Sequence, residues 1–280
     1  MRITLLGTGS PLPDPDRAGP ATLVTAGETR LLFDCGRGVV TRLAAAGSFP
    51  PMLDAVVLTH LHSDHVCDLN DVITTHWVMS PEPRPLRVVG PVGSRQLVER
   101  TLAMLATDIG YRLDHHADLT EPPRVEVEEV RPRDRLEVGG LAVTVGATDH
   151  RPVAPTVGYR VSDGRTSVVV AGDGVPCPTL DELVDDATAY VQTVVRDDLV
   201  RLVPRQRFQD ILDYHSTVAQ AAETAARGGV GALVLTHYVP GMARGTEEEW
   251  RALASGFPGP VVLGDDLTWL DLETMEVGPA

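Results

Sequence analysis

The segment from Thr59 to His65 constrains this chain most, because it places four metal-ligating side chains within six residues: His60, His62, Asp64 and His65. An apolar run, 55–58, precedes the segment and predicts a buried strand, so the histidines lie where the chain leaves that strand. His60 and His62 are two residues apart and project from the same side of an extended chain. Imidazoles and carboxylates suit zinc, manganese or iron. Since an open catalytic zinc usually takes three protein ligands, four such side chains indicate two adjacent metals.

Three more ligand-type residues follow predicted strands elsewhere in the chain. His150 comes after the apolar run 141–147, and His237 comes after the run 231–235. Asp173 follows the run 167–170 and has a glycine on each side, which lets a carboxylate approach two metals closely. The pattern therefore predicts that strand ends supply the site.

The order of the motifs resembles that of the metallo-β-lactamase superfamily, and in particular its ribonuclease Z-like branch, which also contains phosphodiesterases and arylsulfatases. The motifs that carry the resemblance are Leu6-Gly7-Thr8-Gly9-Ser10, Phe33-Asp34-Cys35-Gly36, the segment 59–65, His150, Ala171-Gly172-Asp173, His215-Ser216-Thr217 and Leu235-Thr236-His237. The resemblance implies an α/β fold, an αββα sandwich of the metallo-β-lactamase type with the site at its edge. It also implies that residues 1–280 form a single domain.

The resemblance further implies two divalent metal ions, with zinc as the first choice and manganese or iron as alternatives. One ion is then held by His60, His62 and His150. The other is held by Asp64, His65 and His237, and Asp173 bridges the two. A metal-bound hydroxide is expected to attack an ester, with the ions ~3.5–4 Å apart. Asp64 orients this nucleophile, and His215 stabilises charge or protonates the leaving oxygen.

Several residues have two interpretations at this stage. Asp34 either supports a ligand histidine or caps a helix that begins near Val39. Cys67 lies near a metal or is a buried thiol, and the latter is favoured. His76, alone on a predicted helix, is favoured as a core residue rather than a substrate contact. The arginine-rich segment 197–213 is either a lid over the site or an exposed helix.

The chain departs from the ribonucleases of that branch in two ways: the first, together with the acidic balance, argues against processing of tRNA, and the second concerns proton delivery by His215. Those proteins hold tRNA with a long arm between the third histidine and the bridging aspartate, but only 22 residues (151–172) separate His150 from Asp173. Gln192 is also expected to replace a glutamate that sets the protonation of His215, and an amide cannot stabilise an imidazolium as a carboxylate does. The net charge of −15 gives no general basic footprint for nucleic acid.

The predicted function is therefore metal-dependent hydrolysis of a small phosphodiester or sulfate ester, with an anionic small molecule as partner and no general nucleic-acid binding. The alternatives are hydrolysis of a lactone or thioester at the same metals, or a non-catalytic metal-binding module. No apolar run approaches the ~20 residues of a membrane span, so no membrane partner is expected. The N-terminus has no signal-peptide pattern, and three scattered cysteines form no disulfide framework, which predicts a cytoplasmic protein. A homodimer is expected only by analogy with the branch.

Overall fold

A computed structural model describes residues 1–279. Fifteen strands run through it: β1 (Arg2–Gly7), β2 (Ala21–Ala26), β3 (Thr29–Phe33), β4 (Ala55–Val57), β5 (Leu86–Pro91), β6 (Val125–Val130), β7 (Arg135–Val138), β8 (Leu141–Ala147), β9 (Val157–Ser162), β10 (Ser167–Val170), β11 (Ala189–Val195), β12 (Ala232–Val239), β13 (Val261–Leu263), β14 (Trp269–Asp271) and β15 (Val277–Gly278). The helices are α1 (Val39–Ala45), α2 (Ser63–Val66), α3 (Leu69–Met79), α4 (Ser94–His115), α5 (Pro178–Val184), α6 (Asp197–Val200), α7 (Gln206–Gln209), α8 (Val218–Arg227) and α9 (Glu247–Leu253), with short 3₁₀ turns at Pro50–Met52 and Asp210–Asp213.

The strands form two sheets that pack face to face. The first has eight strands in the order β15-β14-β1-β2-β3-β4-β5-β6, and the second has seven in the order β13-β12-β11-β10-β9-β8-β7. Alternate residues of both sheets point inward and form one continuous apolar core, for example Ile3 and Val57 from the first and Val143 and Val234 from the second.

Helices cover the outer face of each sheet. Residues of α1, α3 and α4 pack on the first sheet around Leu43 and Ile73. Residues of α5, α8 and α9 pack on the second around Ala222 and Trp250. The layers therefore confirm the αββα sandwich that the sequence predicted.

The strand directions bring the ligand-bearing turns to one edge. Strands β3, β4 and β5 are parallel, and β4 ends just before the segment 59–65. In the second sheet β10, β11 and β12 are parallel, so Asp173 and His237 lie at the same ends of β10 and β12, the two strands that flank β11. The carboxyl ends of parallel strands are where such folds place their sites.

Two further elements complete the layers. Helix α4 continues to His115, because no proline or glycine cap interrupts it earlier. Strands β14 and β15 follow β13 and extend the first sheet beside β1. Within residues 1–279, no helix combines the length and apolar character that crossing a membrane requires.

Candidate metal centre

The seven predicted ligands meet at the carboxyl edge of both sheets. The turn after β4 carries His60 and His62, and the short helix α2 that follows carries Asp64 and His65. His150 follows β8, Asp173 follows β10, and His237 lies near the end of β12. Six of the seven are buried, and His62 is half-buried at the mouth of the site.

The ligand atoms fall into two groups whose members lie within 4.8 Å of one another: His60, His62, His150 and Asp173 in the first, and Asp64, His65 and His237 in the second. Asp173 also faces the second group. Its Oδ2 lies 3.8 Å from Nε2 of His60 and of His150, 3.4 Å from Nε2 of His65 and 3.6 Å from Nε2 of His237. This carboxylate is central to both groups, as a bridging ligand must be.

Neighbouring oxygen atoms fix the ring orientation of three histidines. Thr59 donates its hydroxyl hydrogen to Asp34 Oδ2 at 2.8 Å, so the same hydroxyl can accept from Nδ1 of His60 at 3.0 Å. Asp34 Oδ2 accepts from Nδ1 of His65 at 2.7 Å, and the carbonyl of Tyr214 accepts from Nδ1 of His150 at 2.7 Å. Each Nε2 is thereby left with its lone pair facing the cluster, as metal ligation requires.

These contacts decide between the two interpretations of Asp34. Its carboxylate holds Thr59 and His65, whereas helix α1 has Gly38 as its N-cap residue and no side chain caps it. Asp34 therefore supports a ligand histidine from behind.

Buried polar atoms without partners indicate that the site is built for metal ions. Within residues 1–279, His60 Nε2, His65 Nε2 and Asp173 Oδ1 are buried in the cluster and have no hydrogen-bond partner. An unpaired buried polar atom costs about 1–3 kcal/mol, so three in one cluster require a common partner. Nitrogen and carboxylate donors together fit a divalent zinc-like ion.

The electrostatics of the cluster centre on Asp173. Burial raises the pKa of its carboxyl, but the neighbouring His237 and His65 outweigh burial and hold the pKa well below its ordinary value. Burial lowers the pKa of His60 well below its ordinary value. Asp64 stays ionised because its hydrogen bond to His237 and the charges of His65 and His237 lower its pKa against the effect of burial.

Backbone conformations that favour glycine hold the bridging carboxylate in place. Gly172 has a φ of 67°, and a Cβ added there would lie 2.7 Å from the side chain of Thr59. Glycine avoids both the strain and the clash. His237 itself has a φ of 51°, an uncommon value for a non-glycine residue that is typical of functional sites.

His215 also joins the cluster, although no strand precedes it. Its Nε2 lies 3.2 Å from Asp173 Oδ2, and its Nδ1 hydrogen-bonds to the carbonyl of Ile211 at 3.0 Å. Burial lowers the pKa of His215, but the hydrogen bond to Asp173 and the charge of that carboxylate outweigh burial, and the pKa is raised. Both ring nitrogens face acceptor oxygens, an arrangement that suits a proton donor.

Gln192 does not contact His215. Its amide donates to the carbonyls of Gly172 and Thr193, and its oxygen accepts from Tyr190. The interpretation that Gln192 replaces a group that sets the protonation of His215 is therefore wrong. The Ile211 carbonyl holds the outer nitrogen of that ring instead.

A cleft opens from the cluster to solvent, with a volume of about 210 Å³. The floor of the cleft is formed by side chains of the candidate metal centre, namely His62, Asp64, Asp173, His215 and His237. Its walls come from the loop after β1 and from the segment 206–214, and they include Ser10, Pro11, Leu12, Arg207, Phe208, Ile211, Tyr214 and Val239.

Sequence reasoning did not identify Leu12, Tyr214 or Ile211 as site residues. Tyr214 and Ile211 act through backbone carbonyls, which leave no residue-type signal, and Leu12 lies in a proline-rich loop that is unremarkable in sequence. Cys67 is exposed and belongs to neither ligand group, so the expectation of a buried thiol is wrong. His76 is buried in α3, likewise outside both ligand groups.

Comparison with known proteins agrees with this geometry. Residues 29–238 match the model of the family described as beta-lactamase superfamily domain. A protein of Mycobacterium avium (strain 104) named ribonuclease Z is 57% identical over 270 residues, which cover 95% of this chain and 96% of that protein.

Solved structures share the fold. The metallo-β-lactamase fold protein YhfI from Bacillus subtilis superposes with a TM-score of 0.76 at 21% identity, covering 96% of this chain and 99% of that one. The short form of human tRNase Z superposes with a TM-score of 0.72 at 24% identity, covering 97% of this chain and 99% of that one.

These relatives overturn two expectations drawn from the sequence. The predicted hydrolysis of a small ester without tRNA processing, and the absence of nucleic-acid binding, conflict with full-length relatives named ribonuclease Z. The missing arm does not separate this chain from them, because the match spans 96% of their length. Net charge was also a poor guide, since it sums the whole surface whereas binding depends on the charges at one face.

The family match covers most of the chain, the relatives are similar from end to end, and the site keeps its complete set of candidate ligands. Metal-dependent hydrolysis is the chemistry that such a centre supports. The chain belongs to the β-lactamase superfamily, in the same family as the mycobacterial proteins named ribonuclease Z.

Proposed function

We propose that this protein is a ribonuclease that hydrolyses a phosphodiester bond in tRNA precursors. The observation that supports this most is the 57% identity to a protein named ribonuclease Z, over 95% of this chain. A tRNA precursor is an intracellular substrate, so the proposed place of action is the cytoplasm.

The proposed ligands are His60, His62 and His150 for one ion and Asp64, His65 and His237 for the other, with Asp173 shared. Zinc is the proposed metal, since imidazole and carboxylate ligands suit it well. When bound, two such ions supply Lewis acidity that stabilises the charge developing on the attacked phosphate.

The side chains of the cleft supply the proton transfers. The Asp64 carboxylate, kept ionised by His237 and His65, orients the attacking water and accepts its hydrogen bond. The oxygen of that water bonds to phosphorus and one of its protons passes to the Asp64 carboxylate, while the bond from phosphorus to the leaving oxygen breaks. His215 then gives its Nε2 proton to the leaving oxygen, with its ring held by the Ile211 carbonyl at Nδ1.

The test is cleavage of a tRNA precursor that carries extensions at both ends. The wild-type protein loaded with zinc should cut it, whereas Asp64→Ala should be inactive because it removes a ligand and the orienting carboxylate. His215→Ala should lose about 10²- to 10⁴-fold in rate, the usual contribution of a general acid. Asp118→Ala, a change at an exposed residue away from the cleft, is the matched control and should keep full activity.

Cutting that persists in Asp64→Ala would point to a contaminating nuclease. An uncut precursor in the presence of fully metal-loaded wild-type protein would refute the proposed function.

A further inference from the structure

We propose that Arg207 and Phe208 form a nucleotide subsite beside the scissile bond, in which the Phe208 ring stacks on a base and Arg207 pairs with a neighbouring phosphate. This inference rests on the proposed function and assigns side chains that hold the RNA. The two residues are adjacent in α7, and both line the cleft above the metal centre.

Phe208 is not required by the core. The chain has four phenylalanines, and two of them, Phe33 and Phe257, are buried within the main apolar clusters. Phe208 is only half-buried and belongs to none of the clusters, although Ile211 and Leu212 close by do pack into one. Its ring instead forms part of the cleft wall, where a flat apolar group can lie against it.

Arg207 carries an uncompensated charge. Within residues 1–279 it forms no ion pair and no hydrogen bond, and its side chain is exposed. Arg196 pairs with Asp198 and Glu249, and Arg201 pairs with Asp197, whereas Arg205, which has no ion pair within the described residues, does not line the cleft. The unpaired Arg207 guanidinium lies at the mouth of a cleft that is proposed to bind RNA, and a guanidinium is well suited to bind a phosphate group.

The segment that carries both residues is fixed to the catalytic machinery. Ile211 and Leu212 pack on Val195, Val200 and Val239. The Gln209 amide donates to the carbonyls of Val200 and Val203 at 2.9 and 2.6 Å. The Ile211 carbonyl also holds His215, so a nucleotide bound here has a defined position relative to the proton donor.

The apolar and charged residues that line the cleft together favour a nucleotide over other anions. Pro11, Leu12 and Ile211 line the cleft with Phe208 and give it an apolar surface that a simple phosphate would not use. Every base has an apolar face, so stacking on Phe208 should tolerate any base identity. The subsite therefore predicts dependence on the presence of a base and little dependence on its type.

The test combines variants with RNA that lacks single bases. After the cut in a tRNA precursor is mapped, an abasic nucleotide is placed in turn at two positions on each side of it. At one position, loss of the base should lower the wild-type kcat/KM by about 5- to 100-fold, the range that one stacked base contributes. Phe208→Ala should lose a similar factor on intact RNA, and then lose nothing further when that base is absent. Phe208→Trp should restore most of the rate.

Arg207→Gln should raise KM with little change in kcat, and should reduce the slope of log KM against log salt by about one, as expected for one lost phosphate contact. Two matched controls lie away from the cleft. Phe49→Ala removes an exposed ring, and Arg165→Gln removes an exposed charge in the β9–β10 turn at the opposite edge of the sheet. Both controls should match the wild type.

The outcomes are distinguishable. The subsite is refuted, and the proposed function stands, if the wild type cuts RNA but the effects of base removal and of Phe208→Ala on kcat/KM are independent at every position. The same conclusion follows if the variants cut RNA as fast as the wild type. If the wild type does not cut the precursor at all, the proposed function is refuted and the subsite with it.

Discussion

At the scale of single residues, the centre is defined by what lies behind each ligand. An oxygen atom holds the outer nitrogen of each of three candidate ligand histidines. The Thr59 hydroxyl contacts His60, the Asp34 carboxylate contacts His65, and the Tyr214 carbonyl contacts His150. Each Nε2 atom therefore faces the cluster. Such contacts typically contribute 10- to 100-fold to metal affinity. The unpaired buried nitrogens of the cluster then have one common use, which is to bind ions.

Metal content tests the ligand assignment residue by residue. The wild-type protein should bind two zinc ions per chain. The variants His150→Ala and His237→Ala should each bind about one zinc ion tightly, because each change removes a candidate ligand from a different group. Elemental analysis after dialysis against a weak chelator measures this ratio. His115→Ala changes an exposed histidine at the end of α4 and should keep two ions. One ion in the wild type, or a loss of both ions in His115→Ala, would contradict the assignment.

The sequence predicted the ligands because their signal is local. Histidine and aspartate at strand ends are visible as residue types, and their spacing in the segment 59–65 is distinctive. The support from Tyr214 and Ile211 was not predictable, because any residue offers a backbone carbonyl. The prediction that Gln192 lies beside His215 was wrong for a related reason. The position of a residue along a strand does not indicate which neighbouring group its side chain will contact.

At the scale of elements, the tight turn after β10 decides whether Asp173 can reach both groups. Gly172 allows the left-handed backbone and the close approach to Thr59 that the turn requires. The segment between β11 and α8 plays a comparable part on the other side, because it folds into short helices that line the cleft. The sequence left open whether this segment was a lid or an exposed helix, since contacts such as those of Gln209 with the carbonyls of Val200 and Val203 have no residue pattern.

Replacement of Gly172 tests the role of this turn. Gly172→Ala should destabilise the protein by more than the ~1–2 kcal/mol that a left-handed alanine costs, because the new methyl group also meets Thr59. Gly164→Ala is the matched control, since Gly164 has a φ of 86° and open space around it, and it should show the backbone cost alone. Denaturant titration gives both free energies of unfolding, and metal content should fall only in Gly172→Ala. Equal effects of the two changes would refute a special role for this turn.

At the scale of the whole molecule, the two ends of the chain close the sandwich together. Met1 and Leu272 belong to the same central core, and β14 pairs with β1. We propose on this basis that residues 1–280 form one domain. The resemblance to the superfamily implied the layers, but β14 and β15 are short, and their place beside β1 depends on contacts between residues far apart in the chain.

The overall acidity of the chain gave no indication of the proposed RNA substrate. A net charge of −15 describes the average surface, whereas RNA would meet the cleft, where the candidate metal ligands and Arg207 lie together. The missing arm was likewise a poor guide, because a mycobacterial relative named ribonuclease Z matches this chain over 96% of its own length. Composition excluded a generally basic protein, but it could not exclude a local binding face.

The most direct test of the account is to compare a folded tRNA precursor with an unstructured RNA of the same length and composition, each incubated with the zinc-loaded protein. The account predicts one dominant cut at a defined position in the precursor, far slower cutting of the unstructured RNA, and loss of the cut when a chelator removes the metal. Equal cutting of both RNAs at scattered positions, or no cutting of either, would contradict it.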